Sequence, residues 1–261
     1  IVGHPMIARV LDMLSAGGAD FFVIVVHPTQ HELIEYLRRS SWGRRVELAY
    51  QHEREGMADA VEAAAPLVRE RAETEFLLAS CDNLFPDGHI GRLAASRRSD
   101  SLDAALSLMW APETEATLGA VVEMSDGLVT DIIEKPKLTD VPSHGPRPEV
   151  LTAPSLYALS LRVLEYLPRV TSSSRQEREF PDALRLLIAD GGRVGGELVE
   201  NRTVLTHPTD LLVINRRFLR RAPSRVTVHG VIPPDVTIVP PVHIEAGAWI
   251  GGGCQIGPEV F

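Results

Sequence analysis

The sequence predicts a three-layer α/β domain followed by the first coils of a left-handed parallel β-helix. Two observations predict it. Over the first hundred residues, apolar strand-like runs alternate with helical segments, the pattern of helices packed on a sheet. From Val226 onward, branched aliphatic residues recur every six positions, a period that no α-helix has.

The elements follow in order. Pro5 suits the first turn of a helix, and Ile7, Val10, Leu11 and Leu14 then fall at helical spacing until Gly17-Gly18 stops the run. Residues 21–26 are continuously apolar, as a strand buried on both faces would be. Thr29 and Glu32 have the spacing of a capping box for a helix through Arg39. A strand at 46–50, an Ala-rich helix at 56–68 and an apolar strand at 76–81 continue the alternation, which argues for a parallel sheet. Open sheets of that kind bind ligands beyond the carboxyl ends of their strands. That rule singles out His27-Pro28, the turn from Gln51 to Gly56, and Asp82-Asn83.

Beyond Leu102 the pattern changes. Strands are expected at 103–110 and 118–124, then a hairpin turn at Asp126-Gly127 and a returning strand at 128–133, which makes the sheet mixed. The Pro- and Gly-rich stretch 141–148 reads as a loop, 153–159 as a strand, and the residues up to Leu167 as a short helix. Residues 171–174 read as a polar loop. A helix at 179–189, a strand at 193–199 and a helix at 208–219 complete a first domain of residues 1–220.

The second domain, 225–261, carries the six-residue period. Val226, Ile232, Ile238, Ile244, Ile250 and Ile256 set it, and Val236, Val242, Ala248, Cys254 and Val260 repeat it four residues later. In a left-handed β-helix each hexapeptide forms one face of a triangular coil, so the run holds about two coils.

The totals restrict the function. With 44% hydrophobic residues in 261, a real core is expected. A formal net charge of -9, with no basic run, argues against a nucleic-acid partner. No apolar stretch is long enough to span a bilayer and no leader pattern is visible, so a cytoplasmic location without membrane contact is expected. The two cysteines, Cys81 and Cys254, lie far apart and read as small buried apolar residues. Arginine is spread along the chain, whereas lysine occurs only at Lys135 and Lys137.

Several segments, in this order, resemble the sugar-1-phosphate nucleotidyltransferases, also called NDP-sugar pyrophosphorylases. They are Gly3-His4-Pro5-Met6-Ile7, the run from Gln51 to Ala60, Cys81-Asp82-Asn83, Gly119 with Glu134-Lys135-Pro136, and the helix segment from Pro208 to Asn215 that precedes the hexapeptides. The resemblance covers essentially the whole chain. It implies a Rossmann-like domain that joins a nucleoside triphosphate, UTP or dTTP, to a sugar-1-phosphate such as glucose-1-phosphate and releases pyrophosphate. It implies nucleotide binding by Gln51, Gly56 and Met57, and sugar binding by Gly119, Glu134 and Lys135. Asp82 becomes the ligand of Mg²⁺, with Asp82 and Lys135 the catalytic pair. A dimer or trimer is in keeping with a β-helix of this kind.

The residue chemistry fits those roles. A Gln amide can match the imide edge of uracil or thymine, a carboxylate beyond a strand can hold Mg²⁺ against phosphates, and a Lys can neutralise a sugar phosphate as a point charge. Each position also has an ordinary reading, as turn former, helix-starting glycine or hairpin-end charge.

The chain departs from the family pattern as well. The glycine-rich loop ending in Gly-Thr-Arg is expected ahead of the helix that opens here at Pro5, and without it the polypeptide is expected to be inactive. Met57 stands where Thr is usual. Val204 stands where many members carry a second metal-binding Asp, and Thr152-Ala153-Pro154 where many have a sugar-contacting Asn. Two further readings stand beside the enzyme. One is a non-catalytic paralogue that binds nucleotide sugars. The other is a hexapeptide acyltransferase, which normally needs many coils and a catalytic His at a coil interface; His243 lies within the repeats.

Overall fold

The computed structural model describes residues 1–141 and 149–261, so the loop expected at 141–148 falls almost wholly outside the described residues. The chain divides into two compact units. The larger comprises residues 14–80 and 85–201, and the smaller residues 1–13, 81–84 and 202–261.

The N-terminal helix α1 (Met6–Ala16) begins directly after Pro5 as expected. In the larger unit, β1 (Phe22–Val26) is followed by α2 (His31–Arg39), β2 (Val46–Tyr50), α3 (Met57–Arg71) and β3 (Glu75–Ala79). β1 and β2 pair in parallel, Phe22 opposite Val46. The expected capping box is not formed. No side chain caps α2; Thr29 Oγ1 meets His27 Nδ1 at 2.7 Å instead, and Gln30 Oε1 accepts the His27 N–H at 2.7 Å.

After β4 (Asn83–Leu84), which belongs to the smaller unit, come α4 (His89–Ser99), β5 (Ala104–Pro112), β6 (Ala120–Ser125), β7 (Leu128–Glu134), β8 (Glu149–Ala153), β9 (Leu156–Ser160), α5 (Phe180–Ala189) and β10 (Val194–Leu198). β3 does not continue a parallel sheet with β1 and β2. It heads a seven-stranded sheet in the order β3-β9-β5-β8-β6-β7, with β10 pairing β5. Within it β3/β9, β9/β5, β5/β8, β8/β6 and β6/β7 are antiparallel, and β5/β10 is parallel. The sheet is therefore mixed, because the partner of β3 arrives from beyond the hairpin rather than from the neighbouring unit of the alternation. The hairpin turn sits at Asp126-Gly127, both at positive φ (52° and 79°), as a two-residue turn matched to strand twist requires.

The layers can be read from β5. Ala104, Leu106 and Leu108 join one buried cluster with Val61 and Val68 of α3 and Phe180, Ala183 and Leu187 of α5. The alternate residue Ser107 points the other way and binds His89 of α4 at 2.8 Å. Period-two alternation thus puts helices on both faces of the strand.

In the smaller unit, β11 (Thr203–Val204) pairs antiparallel with β4, and α6 (Asp210–Arg220) follows. Then come β12 (Val226–Val228), β13 (Thr237–Ile238), β14 (Val242–Ile244) and β15 (Gln255–Ile256). β12 pairs β14 and β13 pairs β15, both in parallel, and a further bridge joins Val242 to Val260. Thr237 opposite Gln255 and Val242 opposite Val260 are each eighteen residues apart, the length of three hexapeptides.

α6 falls in the same compact unit as the strands after it. Arg220 forms a two-point ion pair with Glu259, at 2.6 and 2.8 Å, and the Val2 N–H donates to Asn215 Oδ1 at 2.7 Å. The cysteines also differ from expectation: both are exposed, Cys81 at a turn beyond β3 and Cys254 just ahead of β15.

Candidate active site

The Gln51–Gly56 turn lies between β2 and α3. Its glutamine is already engaged: Gln51 Nε2 donates to the Gly56 carbonyl at 3.1 Å and to Asp59 Oδ2 at 2.7 Å. The amide therefore does not offer paired donors and an acceptor to a base. It presents Oε1, oriented by the two bonds on the other side of the group. Asp59 is itself held by Arg178, whose guanidinium reaches Asp59 Oδ1 at 3.5 Å and Glu62 Oε2 at 2.6 Å and also donates to the carbonyls of Val170 and Leu167.

The local backbone requires the glycine at Gly56. Its φ is 118°, and a Cβ there would lie 2.5 Å from the Arg178 carbonyl oxygen and 2.7 Å from the Arg178 nitrogen. The glycine admits the backbone of residue 178, which exchanges bonds with this turn: Ala58 N–H donates to Arg178 O at 2.9 Å, and Arg178 N–H to Glu55 O at 2.5 Å. Met57 opens α3, partly buried against the core.

The second group of residues sits where β6 and β7 end. Lys135 N–H donates to Gly119 O at 2.9 Å, closing the ladder. Gly119 is extended (φ −154°), and a Cβ on it would meet none of the described residues within 4 Å. Neither backbone conformation nor packing demands a glycine there, so the missing side chain leaves open space above the strand ends. Lys135 is exposed and held at φ 42°, a conformation costly for a residue with a Cβ. Strain of this kind gathers at functional sites.

Glu134 is the electrostatic centre of this end. Burial, and then the Glu179 carboxylate nearby, push its carboxyl above the ordinary value, against the pull of Lys135 and Arg175. Glu179 is buried and neutralised locally, accepting Arg175 Nη2 at 2.6 Å and Ser173 Oγ at 3.3 Å. Tyr157 is buried against the same group; burial and the Glu134 charge raise its phenol.

The two groups share a connection that the sequence did not reveal. Arg178 locks the Gln51 turn, and its neighbour Glu179 faces Glu134. Residues 173–179, read only as the end of a polar loop and the start of a helix, are thus the piece on which both depend.

Asp82 lies in the smaller unit, three residues past β3 in sequence. Its Oδ1 accepts Asn83 Nδ2 at 2.8 Å, and its carbonyl accepts the Leu205 N–H at 2.9 Å. Buried Asn83 is in turn held by Arg202. Val204 is the register partner of Asn83 in the β4–β11 pair, so the position expected of a second metal-binding Asp adjoins Asp82 but carries an aliphatic side chain. Asp210 does not substitute for it. Its Oδ2 accepts the N–H groups of Thr206 and His207 at 2.8 and 2.7 Å, bonds that hold its carboxyl below the ordinary value. Among the described residues no group of three metal-capable side chains includes Asp82. One carboxylate is nonetheless enough for a Mg²⁺ whose other ligands are waters and substrate phosphates, so the residue fits that ion.

A mixed sheet with helices on both faces places the protein among the layered α/β proteins. The chain belongs to the nucleotidyl transferase family, whose model matches residues 1–201, up to the end of the larger unit. It is 29% identical over 250 residues to the bifunctional protein GlmU of Methanococcus maripaludis strain C7, covering 96% of this chain and 55% of that protein. It is 27% identical over 264 residues to a glucose-1-phosphate thymidylyltransferase of Streptomyces griseus, covering 100% of this chain and 70% of that one. The chain thus spans about half the length of the GlmU relatives it matches. Among solved structures, a UDP-glucose pyrophosphorylase complexed with UDP-glucose superposes with a TM-score of 0.69 at 16% identity, covering 83% of this chain and 87% of that one. The UTP-bound enzyme from Acinetobacter baumannii gives 0.68 at 17%, covering 85% of each chain. No helix among the described residues is long and apolar enough to cross a membrane.

Proposed function

We propose that the protein carrying this chain transfers a nucleotidyl group from UTP or dTTP to a sugar-1-phosphate, glucose-1-phosphate or a close relative. The observation that carries the reading is the open end of the β6–β7 hairpin, where a strained lysine and a half-buried glutamate join a glycine whose Cβ position borders space that no described residue fills. A sugar phosphate would fill it. Glu134 would accept hydrogen bonds from sugar hydroxyls, Gly119 would present backbone N–H, and Lys135 would stand against the phosphate. Gln51 Oε1 would accept the imide N–H of the base, and the Gly56–Met57 turn would lie along the nucleoside.

In the reaction a sugar-phosphate oxygen forms a bond to the α-phosphorus while the α–β bridging bond breaks, and pyrophosphate leaves with the electron pair. Little covalent work falls to the protein, so positioning and charge neutralisation dominate. Asp82 would hold Mg²⁺, which supplies charge neutralisation at the phosphates. We propose also that residues 225–261 form coils of a left-handed parallel β-helix; the eighteen-residue pairing offsets support this.

A second reading is favoured by Val204. With an aliphatic side chain next to the Asp82-Asn83 turn, the protein would bind nucleotide sugars without turning them over. Pyrophosphate release from UTP and dTTP with glucose-1-phosphate and Mg²⁺, beside an Asp82→Ala variant, separates the two. Release that disappears in the variant is the expected result. UDP-glucose binding without release from any sugar phosphate would replace the enzyme by the binding protein.

A further inference from the structure

The hexapeptide strands of the smaller unit gather three side chains that nucleotidyl transfer does not use. β12 and β14 run in parallel with Val226 opposite Val242, Thr227 opposite His243 and Val228 opposite Ile244. One step further along this register His229 comes opposite Glu245, and the His229 N–H donates to the Ile244 carbonyl at 2.9 Å. His243 and Glu245 are two residues apart, so strand alternation turns them to the same side. His229 joins them from across the ladder.

One potential ligand atom of each of His229, His243 and Glu245 lies within 4.8 Å of the others, the single such trio among the described residues. His243 Nε2 is 3.0 Å from Glu245 Oε1. His243 is buried, its ring stacked on Phe261 (centroids 5.5 Å, interplanar angle 26°) and edge-on to His229 (5.5 Å, 60°). Its position is therefore fixed by packing, while His229 and Glu245 are exposed and can adjust. Gly3 closes the group from behind. A Cβ there would fall 3.0 Å from both His243 Nε2 and Glu245 Oε1, so any side chain would crowd the two atoms that face each other.

We propose that His229, His243 and Glu245 bind a divalent transition cation of the zinc type. Two imidazoles and one carboxylate are the nitrogen and oxygen donors that such an ion takes, and metal–ligand distances of about 2.0–2.2 Å require only small adjustments of the exposed pair around His243. The exposed side of the trio leaves a coordination position for water. An ion held there ties β12 to β14, strands of successive passes of the chain, and so favours the folded ladder over its separated strands. The site is independent of the nucleotidyl transfer reading.

The test is titration of the whole chain, with any affinity tag removed, by Co²⁺ followed through its visible absorption. Zn²⁺ is then added in competition, and melting is recorded with and without Zn²⁺. His229→Ala and Glu245→Gln are the variants, because both residues are exposed and both substitutions leave the buried His243 ring stacked on Phe261; circular dichroism checks each fold. The expected result is an absorption band of low-coordinate Co²⁺ that Zn²⁺ abolishes, a higher Tm with Zn²⁺, and at least about tenfold weaker Zn²⁺ binding in each folded variant. No band with the unmodified chain, or Zn²⁺ affinity unchanged in both variants, overturns the proposal. Loss of pyrophosphate release with Co²⁺ binding intact would speak against the enzyme reading alone.

Discussion

The Gln51–Gly56 turn and the Gly119/Glu134/Lys135 hairpin end belong to the same unit yet are built in opposite ways. The first is wired internally: the glutamine amide is held by a carbonyl and a carboxylate, that carboxylate by Arg178, and the glycine by the backbone of the same arginine. The second is left open among the described residues, its glycine with no neighbour at the Cβ position, its lysine exposed at positive φ and its glutamate pushed toward the neutral form. On the proposed function the first meets a flat base, which needs a surface set before it arrives, because preorganisation lowers the cost of ordering on binding. A charged sugar phosphate brings its own hydrogen-bond partners and can relieve groups that stand strained without it. The glycines thus carry different meanings: one is required by the fold, and the other, on the proposed function, leaves room for a ligand.

The sharpest way to break this contrast is to give both glycines a methyl group. Gly56→Ala forces a Cβ into the Arg178 backbone at a φ that alanine rarely adopts, and should destabilise the protein by about 3 kcal/mol or more. Gly119→Ala meets nothing and should change stability by less than about 0.5 kcal/mol while weakening sugar-phosphate binding. Urea unfolding of both variants decides the matter, and equal losses would end the distinction.

Arg178→Ala sharpens the same point from the side chain. It leaves Asp59, Glu62 and two carbonyls without their donor in a half-buried setting, and should cost about 2 kcal/mol. Gln51 then loses its anchored partner, so the KM for the nucleotide should rise more than kcat falls. Arg178→Lys should recover little of either, because one ammonium cannot reach four acceptors in a plane.

Arg178 also shows where reading the sequence stops. Strands 22–26, 46–50 and 128–134 were legible because their apolar runs are local signals, and the hairpin because Asp-Gly marks its own turn. Residues 153–159 read as one strand, but Pro154 separates β8 from β9, and the two pair with different neighbours. The helix at His89–Ser99 passed unnoticed because its inward face includes a histidine, among Ile90, Leu93 and Ala94, and its other positions are polar. Arg178 and Glu179 are two charges in a polar stretch, and the partners that tie them to the two groups, Asp59 and Glu134, lie more than forty residues away in sequence. The hexapeptide period foretold parallel pairing at eighteen residues, but the cross-strand meeting of His229 with His243 and Glu245 depends on a register of sixteen that the period does not contain.

At the open site, Lys135 separates stability from function. Lys135→Gly relieves the positive φ and should stabilise the protein by about 0.5–1 kcal/mol, while turnover should fall at least about a hundredfold. Lys135→Ala should match it in turnover without the gain in stability. If glycine does not stabilise, the strain at this position is not real.

The smallest effect tests the glutamate. Burial and Glu179 raise the Glu134 carboxyl above its ordinary value of 4.5, so the folded state binds this proton more tightly than the unfolded chain. The stability that comes from that proton is fully present below pH 4.5 and is lost as pH rises through the raised value. At neutral pH the ionised carboxylate is a burden on the fold, and Glu134→Gln should melt about 1–3 °C higher than the unmodified protein. The difference should shrink to nothing as the pH is lowered through 4.5, and Tm recorded from pH 4 to 8 measures it. Glutamine offers a sugar hydroxyl a weaker acceptor, so the same variant should bind a nucleotide sugar less tightly across that range. A Glu134→Gln protein that gains stability but keeps its affinity would leave the carboxylate strained without a ligand to relieve it, and would remove Glu134 from the sugar site.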